Sequence, residues 1–174
     1  MKNLFFIITA FALGMVTTIG PAAKANNITP TTIVVEKAGT LDSLLSQESM
    51  DTITSLILKG EINEDDVQVL RYMAGRDKDG SISYGMLSEL DMSEARIKCG
   101  GSYSPDGGNT LQIWQEEEIP QNMFINCESI KKIILPNTCT GICSEAFYGC
   151  KCLEEVKIPK NCTFIGSYTF NGCI

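Results

Sequence analysis

The sequence predicts an α/β solenoid with one parallel strand per turn, a helical return in its N-terminal part and short 23-residue turns at its C-terminal end. Three observations carry that prediction. One phrase recurs as Met123-Phe124-Ile125-Asn126-Cys127, Ala146-Phe147-Tyr148-Gly149-Cys150 and Thr169-Phe170-Asn171-Gly172-Cys173, so phenylalanine and cysteine each return every 23 residues. Self-similarity at such a period marks units that bury their apolar faces only against their neighbours. A second pattern, apolar-x-x-apolar-x-apolar, occurs as Ile53-x-x-Leu56-x-Leu58, Leu87-x-x-Leu90-x-Met92, Ile130-x-x-Ile133-x-Leu135 and Leu153-x-x-Val156-x-Ile158. Its last two apolar residues alternate at period 2, as in a strand with one buried face. Successive instances lie 34, 43 and 23 residues apart. Each interval holds a return path, so the strands are expected to stack in parallel.

Residues 1–25 read as a signal peptide. Lys2 gives a positive start, Leu4 to Val16 is an almost unbroken apolar run, and Gly20-Pro21 breaks any helix. Ala23-Lys24-Ala25 then supplies the small-x-small pattern of a cleavage site. The run is shorter than the roughly 20 apolar residues of a bilayer span, so no stable membrane insertion is expected after removal. Residues 26–98 form a cap-like region with irregular turns. A short helix is expected from Thr40, with Leu41, Leu44 and Leu45 packing inward. After the strand at 53–58, Asn63 reads as an N-cap, and Glu64, Asp65 and Asp66 suit the positive helix start. Val67, Leu70, Met73 and Ala74 make an apolar stripe that Gly75 ends. Residues 99–118, rich in Gly, Ser, Asn and Pro, read as a loop carrying Trp114. Residues 119–174 hold the 23-residue turns, whose return is too short for a long helix. A single helical or 3₁₀ turn is expected around Phe124 and Phe147. The chain stops at Ile174, before the strand that should follow Cys173. The repeat set therefore reads as incomplete, with a last turn at 160–174 that is expected to fray or self-associate.

The chain carries a formal charge of −7, and removal of residues 1–25 leaves 12 basic against 21 acidic residues. That balance gives no electrostatic footprint for nucleic acid. Eight cysteines in an exported chain raise the question of disulfides, whose connectivity the sequence leaves open. Cys127, Cys150 and Cys173 share one repeat position and Cys139 and Cys162 another, which is expected of thiols facing one interior. Cys99, Cys143 and Cys152 have no partner in register and are the expected bridge formers.

The 23-residue turns resemble the BspA-like leucine-rich repeat family. The resemblance rests on Ile130-Lys-Lys-Ile-Ile-Leu-Pro136, Ile142, Glu145-Ala-Phe-Tyr-Gly-Cys150, Leu153-Glu-Glu-Val-Lys-Ile-Pro159, Ile165-Gly166 and Phe170-Asn-Gly-Cys173. Cys139 and Cys162 stand where the family usually has an aliphatic residue, and Cys143 replaces an expected glycine. Leu87-Ser-Glu-Leu-Asp-Met-Ser93 is similar to a more general leucine-rich strand. Residues 33–98 resemble the N-terminal region that often precedes such repeats in exported proteins of anaerobic bacteria. The resemblance implies a leucine-rich-repeat solenoid at the cell surface, in the periplasm or secreted, engaging proteins, host matrix or other cells.

The residues themselves point the same way. No histidine is present, which removes Ser-His-Asp and Cys-His nucleophile systems and disfavours a catalytic zinc site. Glu116-Glu117-Glu118 is the densest acidic cluster, and it reads as a solvated face. Asp77-Lys78-Asp79-Gly80-Ser81 suggests a calcium loop, but Gly75 and Met86 stand where the first and last ligands would be, so a polar turn is expected. No catalytic residue, metal or cofactor is assigned. The candidate binding residues are the outward strand positions Lys131, Lys132, Ile134, Glu154, Glu155 and Lys157, with Trp114 on the loop. At an offset of 23, Lys131 falls beside Glu154 and Lys132 beside Glu155, a pairing that serves register as well as recognition. The expected role is a binding or adhesion module for proteins or cell-surface ligands. The rival readings are a carboxylate-dependent glycan hydrolase and a shortened product with only a structural role.

Overall fold

The computed structural model describes residues 29–101 and 115–173. The expected signal peptide and Trp114 lie outside the described residues. Strand β1, Thr31–Val35, is a run of β-branched residues, the side chains that best fit a pleated surface. A 3₁₀ turn at Leu41–Leu44 and helix α1 at Gln47–Thr52 lead into β2, Ser55–Ile62. Helix α2, Glu64–Met73, returns the chain to β3, Glu89–Ile97. The remaining strands are short: β4 Glu118–Ile119, β5 Lys132–Ile134, β6 Gly141–Ile142, β7 Glu155–Lys157 and β8 Phe164–Ile165.

Among the described residues all pairs of these strands are parallel, and they form a five-stranded sheet in the order β1-β2-β3-β5-β7 and a three-stranded sheet in the order β4-β6-β8. This is an α/β repeat fold. The four strand motifs land in the larger sheet as expected, with Leu56, Leu58, Leu90, Met92, Ile133 and Leu135 buried. Pro136 and Pro159 follow β5 and β7 closely, and a residue without an N–H cannot extend a ladder, so these strands stay at three residues. The three-stranded sheet was not expected. Its strands have only two residues each, too few for any alternation to show in the sequence.

Helix α2 starts as the sequence implies. The Asn63 side chain accepts from the Asp65 N–H at 3.0 Å, and Asp66 reaches back to the Asn63 N–H at 2.9 Å. The same buried carboxylate accepts from the N–H groups of Gly39 and Leu41 at 2.6 and 2.9 Å, which docks the 3₁₀ turn on the helix. Leu41 packs inward, but Leu44, the last residue of the 3₁₀ turn, is 50% exposed. Val67, Leu70, Met73 and Ala74 are buried as the stripe requires. Near the helix end Arg71 is buried as well. Its Nη1 donates to the carbonyls of Asn122 and Met123 at 3.1 and 3.2 Å, tying α2 to the first 23-residue turn.

Around the phenylalanines the expected helical or 3₁₀ turn takes the form of tight i→i+3 turns between two left-handed residues. The first left-handed position is Asn122, Glu145 and Tyr168, with φ of 59°, 59° and 57°. The second is Asn126, Gly149 and Gly172, with φ of 58°, 72° and 79°. Both positions repeat at the sequence period. Inter-turn bonds hold this backbone: Phe124 N–H donates to the Ala146 carbonyl at 2.8 Å and Phe147 N–H to the Thr169 carbonyl at 3.0 Å. The rings of Phe124, Phe147 and Phe170 stack in one column, with centroids 5.8 and 5.5 Å apart.

Candidate binding face

Pairing in the larger sheet decides which outward side chains become neighbours. Ser55 pairs with Glu89, Glu89 with Lys132, and Lys132 with Glu155, so these four form one row across the strands. A second row runs Thr32, Ile57, Asp91, Ile134, Lys157. Beyond it the register shifts by one residue opposite Leu58, and Lys59 pairs with Glu94 at 2.7 Å between charged atoms. The shift leaves Ser93 and Glu94 as consecutive outward residues on β3 while Met92 and Ala95 stay buried.

Of the candidate residues, Lys132, Ile134, Glu155 and Lys157 meet in the ladder. Lys132 and Glu155 form an ion pair at 2.8 Å, and that hydrogen-bonded carboxylate holds the Lys132 ammonium above its ordinary pKa. Lys131 and Glu154 are exposed but lie one residue before the pairing begins, and among the described residues they form no ion pair. A shallow groove of about 150 Å³ opens on this face. It is lined by Pro30, Ser55, Ile57, Glu89, Asp91, Lys132 and Ile134, with Leu56 and Leu90 beneath. Most of these were not read as site residues, although Ile57 and Asp91 occupy the same motif position as Ile134. Asp91 and Glu89 are held in place locally: Asp91 Oδ1 accepts from the Ser93 N–H at 2.8 Å and Glu89 Oε2 from the Ser55 hydroxyl at 3.2 Å.

The acidic cluster does not converge. Glu116 pairs with Lys98 at 3.1 Å, Glu117 accepts from the Thr138 hydroxyl, and Glu118 accepts from the Cys143 thiol at 3.6 Å. The Asp77–Ser81 segment is a closed turn, with Asp77 N–H on the Ser81 carbonyl at 2.9 Å. Cys127, Cys139 and Cys150 are buried, while Cys162 and Cys173 are partly exposed at the outer turn. Cys143 and Cys152, expected as bridge formers, carry free thiols. Burial pushes the thiols of Cys127, Cys139 and Cys143 up to about 11, and Cys150 further in the same direction. At neutral pH these sulfurs are protonated and are poor nucleophiles.

Among the described residues, no helix is long and apolar enough to cross a membrane. No curated protein matches the chain. Residues 116–174 match the family model described as BspA type leucine rich repeat region (6 copies). The matched stretch coincides with the recurrent left-handed pair, the phenylalanine column and the two strands contributed by each turn. Over residues 116–174 this chain is thus similar to a BspA-type leucine-rich repeat region.

Proposed function

We propose that this chain is an exported leucine-rich-repeat solenoid, released from a signal peptide at residues 1–25, that acts as a binding or adhesion module for a protein or cell-surface ligand. It is not an enzyme in this reading. The observation that carries the proposal is the outward face of the five-stranded sheet. Two rows of polar, charged and isolated apolar side chains run across its strands without interruption, and a groove opens between them. Repeat stacks present such continuous surfaces to partners, and the family match supplies the repeat type. Trp114 is a further contact candidate. The acidic balance argues against nucleic acid as a partner. Pairing of the sheet edges β7 and β8 with a second copy is the other association proposed, since Ile158, Phe164 and Ile165 are exposed beside them.

Glycan and extracellular-matrix arrays probed with the purified protein test the binding role. The double reversal Lys132→Glu with Glu155→Lys keeps that ion pair while changing what a partner meets. Loss of affinity with unaltered thermal stability supports the strand face. An unchanged affinity places binding elsewhere on the molecule.

A further inference from the structure

Resting on that reading of the face, we propose that the groove over Asp91 takes a lysine or arginine side chain from a partner protein. Asp91 is flanked in the ladder by Ile57 on one side and Ile134 on the other. Among the described residues no cation pairs with it. The cation lining the groove, Lys132, is already engaged by Glu155 at 2.8 Å and also faces Glu89. The groove therefore holds two carboxylates and one lysine whose charge is spent on a neighbour.

The walls select among occupants. A purely apolar side chain would remove water from the Asp91 carboxylate and return no partner for it, which is costly. A divalent cation needs several converging oxygens, and no group of three ligating side chains exists among the described residues. An acidic segment would be repelled by Glu89 and Asp91 in a chain of net charge −7. A long basic side chain satisfies both parts of the groove. Its methylene stem lies against Ile57, Ile134 and Pro30, and its head reaches the carboxylate oxygen that the Ser93 N–H leaves free. Arginine fits better than lysine, because its planar fork places one N–H on that free oxygen and a second on the remaining lone pair of Oδ1.

Titration of the full-length, isotope-labelled protein with acetyl-Leu-Arg-Leu-amide, followed by amide chemical shifts, tests this. Shifts are expected at 55–57, 89–91 and 132–134, with binding about tenfold weaker for the same peptide carrying citrulline in place of arginine. Asp91→Asn should remove the preference for arginine. Glu89→Gln, an independent variant beside it, should reduce that preference. Asp42→Asn, in the separate acidic cleft formed with Asp65 and Asp77, should leave it intact. Equal binding of the two peptides, or shifts confined to the Asp42 cleft, would overturn the inference. If an array partner is lost by the Lys132/Glu155 reversal but kept by Asp91→Asn, the face stands and this inference alone falls. If the peptide result holds but the reversal leaves an array partner's affinity unchanged, that partner binds elsewhere and only its assignment to the strand face falls.

Discussion

Phe147 is fully buried between Phe124 and Phe170, with near-parallel rings on both sides at interplanar angles of 10° and 2°. It is the only ring of the three with a stacked neighbour on each face among the described residues, so truncation there opens a cavity in the column. Phe147→Ala is expected to cost about 3–5 kcal/mol in denaturant unfolding. A loss under about 1 kcal/mol would contradict the burial described. The thiols set a pH dependence at the same scale. Burial raises Cys127 from 9.0 to about 11, so the native state resists losing this proton. Below pH 9 the thiol is neutral in both states and its contribution is complete. Between pH 9 and about 11 the unfolded chain ionises first, so stability falls as pH rises. Denaturant midpoints across that window should decline, and Cys127→Val should flatten the decline.

At the scale of elements, Asp66 is the residue on which the N-terminal part turns. Its carboxylate accepts three backbone N–H groups, from Gly39, Leu41 and Asn63, and so closes the capping box of α2 while seating the 3₁₀ turn. Asp66→Ala leaves these donors buried without acceptors and is expected to cost about 2–4 kcal/mol in thermal or denaturant unfolding. The exposed N-cap of α1, Ser46, lacks this reach and should cost about 1 kcal/mol or less when changed to alanine. The sequence showed the helix, its cap and its stop because those signals are local. It did not show the second role of Asp66, which depends on a turn some 25 residues earlier in the chain folding back onto the helix.

Across the whole molecule, order should follow the neighbours each turn has. Ile133 and Leu135 are buried and β5 pairs on both sides. In the outer turn Phe164 and Ile165 are 43% and 51% exposed, and among the described residues β8 pairs only with β6. Hydrogen exchange of the dilute protein should therefore open residues 160–173 well before 130–136. Equal, strong protection in both segments would overturn this ordering of the turns. Gly141 makes the coupling between turns concrete. A side-chain carbon at that position would lie 2.0 Å from the Phe164 ring, so this glycine lets the outer ring settle on the turn beneath it.

The sequence by itself determined the period, the four long strand motifs, helix α2 and the direction in which the strands stack. Each rests on a local or strictly periodic signal: two-residue alternation, a cap followed by an apolar stripe, or a phrase returning after 23 residues. It also placed Lys132 beside Glu155, because those two turns share the exact period. Only the tertiary structure decided the rest. Aligning the strand motifs already sets Ile57, Asp91 and Ile134 at one position, but the one-residue shift beyond them, which brings Lys59 to Glu94, shows only in the pairing of β2 with β3. The left-handed backbone at Glu145 and Tyr168 runs against the preference of those residues, and it is held by bonds from neighbouring turns such as Glu145 N–H to the Ser167 carbonyl at 3.0 Å. The groove exists for the same reason: its walls come from four separate segments, and no stretch of the chain contains it.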